Sequence, residues 1–260
     1  MRSAAPRLWT TSSRRSGAEL PDFGGRVALV TGVGAVGQIG HAVAHGLGAA
    51  GARLVIAARD AAELDARARE FAGQGIIAKL AAGDLATPAG AAAAVATATR
   101  EFGGLHVVIN VAGGMINYGP IAAVTADKLD RELAANVKTA FFVCQAALPA
   151  LRAAGGGAIV NFASIAVAKS LNDMAAYTAA KSAVAGLTRA LAREVRDWNI
   201  RVNAVAPATV RTATNVAQMK PDATTRLVEL AELVRAVLFL ASDDAHAVTG
   251  QVLPVTGTEF

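Results

Sequence analysis

Thr31-Gly32-Val33-Gly34-Ala35-Val36-Gly37-Gln38-Ile39-Gly40 follows directly on the short apolar run 26–31 and leads into an Ala-rich segment of helical period. Gly32, Gly34 and Gly37 spell G-x-G-x-x-G, and the strand-then-helix setting gives that pattern its meaning. Glycine lets the backbone turn tightly and approach a pyrophosphate, whose charge the free N–H groups of a helix N-terminus stabilise. In a chain with 25 glycines the spacing alone is weak; its place at the end of the first strand points to a dinucleotide loop.

Outward from this loop, runs of Val, Ile and Leu alternate with Ala-rich helical patterns. The runs at 26–31, 53–57, 76–81, 106–110, 158–163, 201–206 and 252–255 are short and apolar on both faces, which predicts buried parallel strands. Helices are expected over 40–50, 61–71, 87–102, 128–153, 175–198 and 229–242. Repeated strand–helix units with right-handed crossovers predict an α/β fold, a doubly wound parallel β-sheet of Rossmann type with about seven strands and helices on both faces. No proline-rich or low-complexity linker interrupts the pattern, so residues 20–260 are expected to form one domain and residues 1–19 a disordered basic extension.

Composition narrows the function classes. The chain has 260 residues, 53% hydrophobic and 17% charged, enough to bury a large core. A lone cysteine, Cys144, excludes an internal disulfide framework and a multi-cysteine zinc site. The net charge of +5 invites a nucleic-acid reading, but Arg2, Arg7, Arg14 and Arg15 stand against Glu19 in the first twenty residues, leaving the body nearly neutral and without a basic stripe. No nucleic-acid partner is expected. The uncharged stretches 27–52 and 102–126 are long enough to span a bilayer, yet the first holds seven glycines, Gln38, His41 and His45 and the second Asn110 and Asn117, so no membrane partner is expected either. With no apolar export segment at the N-terminus, a cytoplasmic location is the expectation.

The second strand ends Ile56-Ala57-Ala58-Arg59. In nucleotide folds of this kind the residue after that strand meets the adenosine ribose, and an acid there accepts from the 2′-hydroxyl. A neutral residue followed by arginine instead offers a bidentate partner for a 2′-phosphate, which predicts NADP(H) over NAD(H). The alternative is a surface arginine paired with Asp60 or Glu63.

Residues 164–181 carry the chemistry. Tyr177 and Lys181 are four apart and share a helix face, and Ser164 ends the preceding strand. A phenol of pKa about 10 is a poor acid or base near neutrality, and bringing it to 7 takes ~4 kcal/mol of phenolate stabilisation. A lysine ammonium can supply much of that, while a serine hydroxyl holds the carbonyl oxygen that receives the proton. The hydride must come from a cofactor.

With these motifs the chain resembles a short-chain dehydrogenase/reductase of the single-domain kind, from Leu20 to Gly257. Tyr177-Thr178-Ala179-Ala180-Lys181 is similar to the family's YxxxK, Ser164 stands thirteen residues before the tyrosine, and Asn136 matches the family's helix asparagine. Asn110-Val111-Ala112-Gly113 resembles its NNAG stretch, Asp84-Leu85 its adenine-contacting pair, and Thr249-Gly250-Gln251 its closing signature. The resemblance implies Tyr177 as proton donor or acceptor, Lys181 as the group that lowers its pKa and holds nicotinamide ribose hydroxyls, Ser164 as the orienter of the reacting oxygen, and Asn136 as anchor of a proton-relay water. It implies a cofactor site at Gly32, Gly34, Gly37, Ile39, Gly40, Asp84, Leu85, Asn110, Ala112, Gly113, Tyr177, Lys181, Pro207, Val210 and Thr212, besides Arg59. The reaction implied is reversible reduction of a carbonyl substrate to an alcohol, and the assembly implied is a homodimer or homotetramer packed through the helices carrying Asn136 and Tyr177.

The chain also departs from the pattern. Two extra residues separate Thr31-Gly32 from Ile39-Gly40, and Pro207-Ala208 stands where the family usually has Pro-Gly. These departures motivate a competing reading, a nucleotide-binding regulatory or scaffold protein that kept the fold with weak or no catalysis. The segment 213–227, usually a helical substrate lid, is short, polar and weakly periodic here. Met115, Tyr118, Lys169, Met174 and Met219 are candidate pocket residues, though packing is the commoner role for each. His41 and His45 share a helix face without further ligands, so no metal site is expected, and Cys144 reads as core.

Overall fold

Short β-branched strands flanked by Ala-rich helices have one economical way to bury both sheet faces, and the computed structural model adopts it. It describes residues 21–169, 171–221 and 226–257; the basic extension at 1–19 and residues 222–225 of the expected lid lie outside them. Seven strands, β1 (Val27–Thr31), β2 (Arg53–Ala58), β3 (Ala78–Ala82), β4 (Val107–Asn110), β5 (Gly157–Phe162), β6 (Ile200–Pro207) and β7 (Val252–Val255), form one parallel sheet in the order β3-β2-β1-β4-β5-β6-β7. This is the doubly wound Rossmann arrangement, and its order reverses between β1 and β4.

Alternate residues of β1 show how the two layers divide. Ala28 and Val30 join a core with Val43, Ala44 and Leu47 of helix α1 (Ile39–Ala49), Leu64 and Phe71 of α2 (Ala61–Gly73), and Leu233, Val237 and Leu238 of α8 (Leu230–Ala241). Val27 and Leu29 face the other core, with Ala91, Ala94 and Ala98 of α3 (Pro88–Phe102), Val143, Cys144 and Ala147 of α5 (Thr139–Ala153), and Leu191 and Ala192 of α6 (Ala175–Glu194). Burying both faces makes the central strands predominantly apolar, and the asparagines they hold, Asn110, Asn161 and Asn203, are buried and hydrogen-bonded. Edge strand β3 departs from that expectation: Lys79 and Leu80 are exposed, because a strand with one neighbour needs no apolar outer face.

The helix expected over 128–153 runs continuously from Ala126 to Ala153, but in three parts: α4 (Ala126–Leu133), a π-helical turn (Ala134–Lys138) and α5. Among the described residues it is the run long and apolar enough to cross a membrane by length and composition, yet it bears the fully buried Glu132 and Asn136 and packs on α3 and α6. The weakly periodic stretch after Thr212 does form a helix, α7 (Ala213–Met219), because the Thr212 hydroxyl caps it by accepting from Asn215 N at 3.1 Å. The helix expected to reach residue 198 ends at Glu194 and tightens into a 3-10 turn at Arg196–Trp198, closed by Asn199 in the left-handed region at φ 57°.

Candidate active site

The strand reversal opens a crevice at the carboxyl ends of β1 and β4, where Thr31 pairs with Asn110. Here the glycine loop leaves the sheet. Gly32 takes φ +71° and its N–H donates to the Ala57 carbonyl at 2.7 Å, while a Cβ on it would stand 2.8 Å from the Ala112 backbone. A Cβ on Gly40 would fall on the Gly32 carbonyl, so Gly40 is the glycine that lets α1 pack against the strand end. Thr31 ties the two strand ends further, its Oγ1 accepting from Ala112 N at 3.0 Å.

The end of the loop docks on α7. Gly37, at φ +78°, accepts from Ala213 N at 3.1 Å, and Gln38 Nε2 donates to Thr214 Oγ1 at 2.8 Å, so the longer loop leans on α7. Ile39 begins α1, whose N-cap residue Gln38 makes no side-chain capping bond, in contrast to Asp60, Thr87, Thr125 and Thr212 on α2, α3, α4 and α7. Arg59 follows β2 and is exposed; among the described residues it forms no ion pair, and Asp60 spends its carboxylate capping α2. Glu63 stands over the loop instead: a Cβ on Gly34 would lie 3.5 Å from Glu63 Oε2. Asp84 Oδ1 accepts from Ala86 N at 3.0 Å in the turn before α3, with Leu85 buried behind it.

Asn110 turns inward. Its amide donates to Asn161 Oδ1 at 2.9 Å and toward Cys144 Sγ at 3.3 Å, and Asn161 in turn donates to Thr188 Oγ1 at 3.0 Å, a buried polar ladder between β4, β5 and α6. Burial pushes the Cys144 thiol up to about 12, in keeping with a core residue. Only the backbone of Asn110 is left to face the crevice. Pro207 and Ala208 end β6, and Ala208 sits in the apolar core with its N–H on the Val255 carbonyl at 2.9 Å and no positive φ, so the methyl that replaces the family's glycine fits its packing. Val210 bridges to Val228, holding both ends of the α7 segment.

Ser164, Tyr177 and Lys181 come together at the end of β5, and the π-helical turn that carries Asn136 packs on their helix α6. Ser164 follows β5, buried, its Oγ accepting from Ala166 N at 3.2 Å. Tyr177 and Lys181 lie one turn apart on α6; the Lys181 ammonium is 5.8 Å from the Tyr177 ring centroid and donates to the Phe162 carbonyl at 2.9 Å. Burial drives the Lys181 ammonium down to about 8, against an opposing pull from the Glu132 carboxylate. Burial also raises the Tyr177 phenol, a hydrogen bond with Ser164 opposes the rise, and the Glu132 charge adds to it. Lys181 is not among the groups that shift the phenol, and its ammonium donates to the Phe162 carbonyl. Asn136 lies in the π-helical turn, which aims its amide at the loop after β4: Gly114 N donates to its Oδ1 at 3.0 Å and its Nδ2 donates to Gly114 O at 2.9 Å.

Glu132 went unnoticed in the sequence. Its signal was present, a charged residue four before Asn136 on a helix face that is otherwise turned inward, but nothing local says that an acid will be buried there. His41 and His45 pack against Phe71, and His41 Nε2 meets Glu70 Oε1 at 2.9 Å; among the described residues no cluster of metal-ligating side chains occurs.

Residues 26–223 match the family model described as short chain dehydrogenase. The chain is 36% identical to a "Short-chain type dehydrogenase/reductase" of Picea abies, over 90% of this chain and 92% of that one, and 34% identical to a "Cyclohexanol dehydrogenase" of Acinetobacter sp., over 90% and 95%. A solved structure titled as 7 alpha-hydroxysteroid dehydrogenase complexed with NADH and 7-oxo glycochenodeoxycholic acid superimposes with a TM-score of 0.83 at 28% identity, covering 91% of this chain and 95% of that one. Sheet order, glycine loop and these likenesses agree: the chain belongs to the short-chain dehydrogenase/reductase family.

Proposed function

We propose that this oxidoreductase interconverts a ketone and a secondary alcohol by hydride transfer, with Tyr177 as the general acid-base group and NADP(H) preferred over NAD(H). The observation that carries the reading is the pairing of the Tyr177 phenol with the Ser164 hydroxyl above a buried Lys181 ammonium. A phenol held protonated by burial can give its proton to an alkoxide forming beside it, and the Ser164 hydroxyl can donate to the same oxygen.

The residues present fit a dinucleotide. Gly32 and Gly40 let the strand end, the loop and α1 approach one another closely, and Gln38 puts no side-chain cap on the first turn of α1, which suits a pyrophosphate there. Bound there, the nicotinamide would supply or accept the hydride. Gly32, Gly34, Gly37, Ile39 and Gly40 would hold the phosphates, Asp84 and Leu85 the adenine, and Ala112, Gly113, Pro207, Val210 and Thr212 the nicotinamide end. The free guanidinium of Arg59 supports NADP(H). Glu63 over Gly34 favours a second reading, NAD(H), since an acid there repels a 2′-phosphate and welcomes a hydroxyl.

Titration with NADPH and NADH in parallel, then turnover of cyclohexanone and cyclohexanol, tests the reading. Tyr177→Phe is expected to bind the dinucleotide like the parent and to lose turnover by about a thousand-fold or more; a Tyr177→Phe protein that keeps parental turnover overturns the role given to the phenol. The assembly that goes with this reading is a homodimer or homotetramer through α5 and α6, supported by the exposed Phe141 on α5 and checked by sedimentation.

A further inference from the structure

Glu132 is fully buried, whereas Asp127, Asp130 and Arg131 of α4 are exposed and Lys128 is half-buried. It meets no arginine, lysine or histidine in an ion pair among the described residues. All its partners are N–H groups. Ile116 N shares its proton between Oε1 at 3.3 Å and Oε2 at 3.1 Å, Asn117 N donates to Oε2 at 2.9 Å, Asn117 Nδ2 to Oε2 at 3.1 Å, and Asn136 Nδ2 to Oε1 at 3.0 Å. Both oxygens accept, as the two oxygens of a carboxylate do and the nitrogen end of an amide cannot.

We propose that Glu132 is a positioning residue of this site: its buried carboxylate fixes the Asn136 amide and clamps the loop that leaves β4, setting where Met115, Ile116 and Tyr118 stand. The Gly114 N–H and carbonyl set which end of the Asn136 amide is the nitrogen, and Glu132 reinforces it, its Oε1 and its backbone carbonyl both accepting from Nδ2 at 3.0 Å. On its far side the same loop is tied to the segment before α6, Gly119 N donating to Asp173 O at 2.9 Å, so that it spans from Asn136 to the start of the helix bearing Tyr177. A carboxylate taken wholly out of water is costly unless well paired, and here five N–H contacts from one loop and one asparagine share that task.

The charge has a second consequence. Glu132 raises the proton affinity of both Tyr177 and Lys181. The other groups at Tyr177 are the neutral Ser164 after β5, which hydrogen-bonds to the phenol, and the Lys181 ammonium 5.8 Å from the ring, which donates to the Phe162 carbonyl. Removing the Glu132 charge therefore lets the phenol ionise at lower pH.

The test needs no substrate, although it rests on the role given to Tyr177 above. The chain has two tyrosines, so in a Tyr118→Phe background ultraviolet titration reports the Tyr177 phenol alone. Glu132→Gln is expected to lower that midpoint by about half a pH unit or more, and to speed hydrogen exchange at the Ile116 and Asn117 amides by about ten-fold. Glu132→Asp, which keeps the charge but shortens the reach, is expected to speed exchange while leaving the midpoint in place. An unmoved midpoint in Glu132→Gln, or unchanged exchange in either variant, overturns the proposal. Should neither variant fold, the parent decides: Ile116 and Asn117 amides that exchange at unprotected rates overturn it, and protected ones support it. A parental rate in Tyr177→Phe would sink the reading of Tyr177 and leave these loop measurements intact.

Discussion

Gln38 Nε2 and Thr214 Oγ1 meet at 2.8 Å across 176 residues of sequence, joining the phosphate loop to the first turn of α7. The bond is made from within the stretch between Gly32 and Ile39-Gly40, and the Ala213 N–H to Gly37 carbonyl bond lies next to it. A loop lengthened without such a tether would pay more ordering entropy on gripping a pyrophosphate. Gln38→Ala and Thr214→Ala are each expected to weaken dinucleotide binding by about two- to ten-fold, the worth of one exposed hydrogen bond, and the double variant to be no worse than the poorer single. Fluorescence titration of the four proteins checks this; fully additive losses would mean that the two side chains act separately.

Arg59 follows β2 and Glu63 lies over Gly34, and in the proposed cofactor site the two would have opposite preferences for a 2′-phosphate. Arg59→Ser is expected to weaken NADPH binding by about ten-fold or more with little change for NADH. Glu63→Gln is expected to strengthen NADPH binding several-fold by removing like-charge repulsion, an effect that shrinks at high salt. The ratio of the two dissociation constants, measured at fixed ionic strength, reads both; an Arg59→Ser protein with an unchanged ratio places the recognition elsewhere.

Much of this was legible in the chain. The strands are legible because burial on both faces favours predominantly apolar runs, and the ends expected for β7 are the observed ones. The glycine loop and the spacing of Ser164, Tyr177 and Lys181 were legible because backbone approach and a shared helix face leave fixed residue types at fixed intervals. What the sequence hid depends on contacts between distant segments. The π-helical turn that aims Asn136 at Gly114, the burial of Glu132 and the docking of Gln38 on Thr214 are tertiary facts with no local pattern, and α7 was missed because its cap, Thr212, was weighed only as a ligand contact.

Gly32 and Gly40 tolerate no side chain for different reasons. Gly32 combines a positive φ with a backbone 2.8 Å from any Cβ, while Gly40 is helical and meets the Gly32 carbonyl. Gly40→Ala forces α1 off the strand end and is expected to cost about 2–4 kcal/mol with loss of dinucleotide binding. Gly73→Ala, at the end of α2 with open space around it, serves as the control and is expected to be neutral or slightly stabilising. Urea unfolding separates them, and equal midpoints for the two variants would contradict the close approach.

Lys181 gives stability a pH dependence of definite sign. Its folded value of about 8 lies below the ordinary 10.5 of a lysine in the unfolded chain. Below about 8 both states carry the charge and the folded state bears the full cost of burying it. Above 8 the folded protein releases that proton before the unfolded chain does, so the unfolded state binds more protons and stability rises with pH, by about 3 kcal/mol if the window to 10.5 is crossed. Tyr177 opposes this at the top: its phenol is raised above 10, so beyond that pH the unfolded chain ionises first and stability falls. The rise is thus confined to pH of about 8 to 10, and urea unfolding across that range is expected to show it in the parent and not in Lys181→Met. Loss of the bond to the Phe162 carbonyl will lower the stability of Lys181→Met at every pH, but a missing hydrogen bond shifts the curve without tilting it. Equal slopes in the two proteins would mean that the Lys181 ammonium is no harder to bury than one in water, and that the group beneath Tyr177 stays charged throughout the range in which the enzyme works.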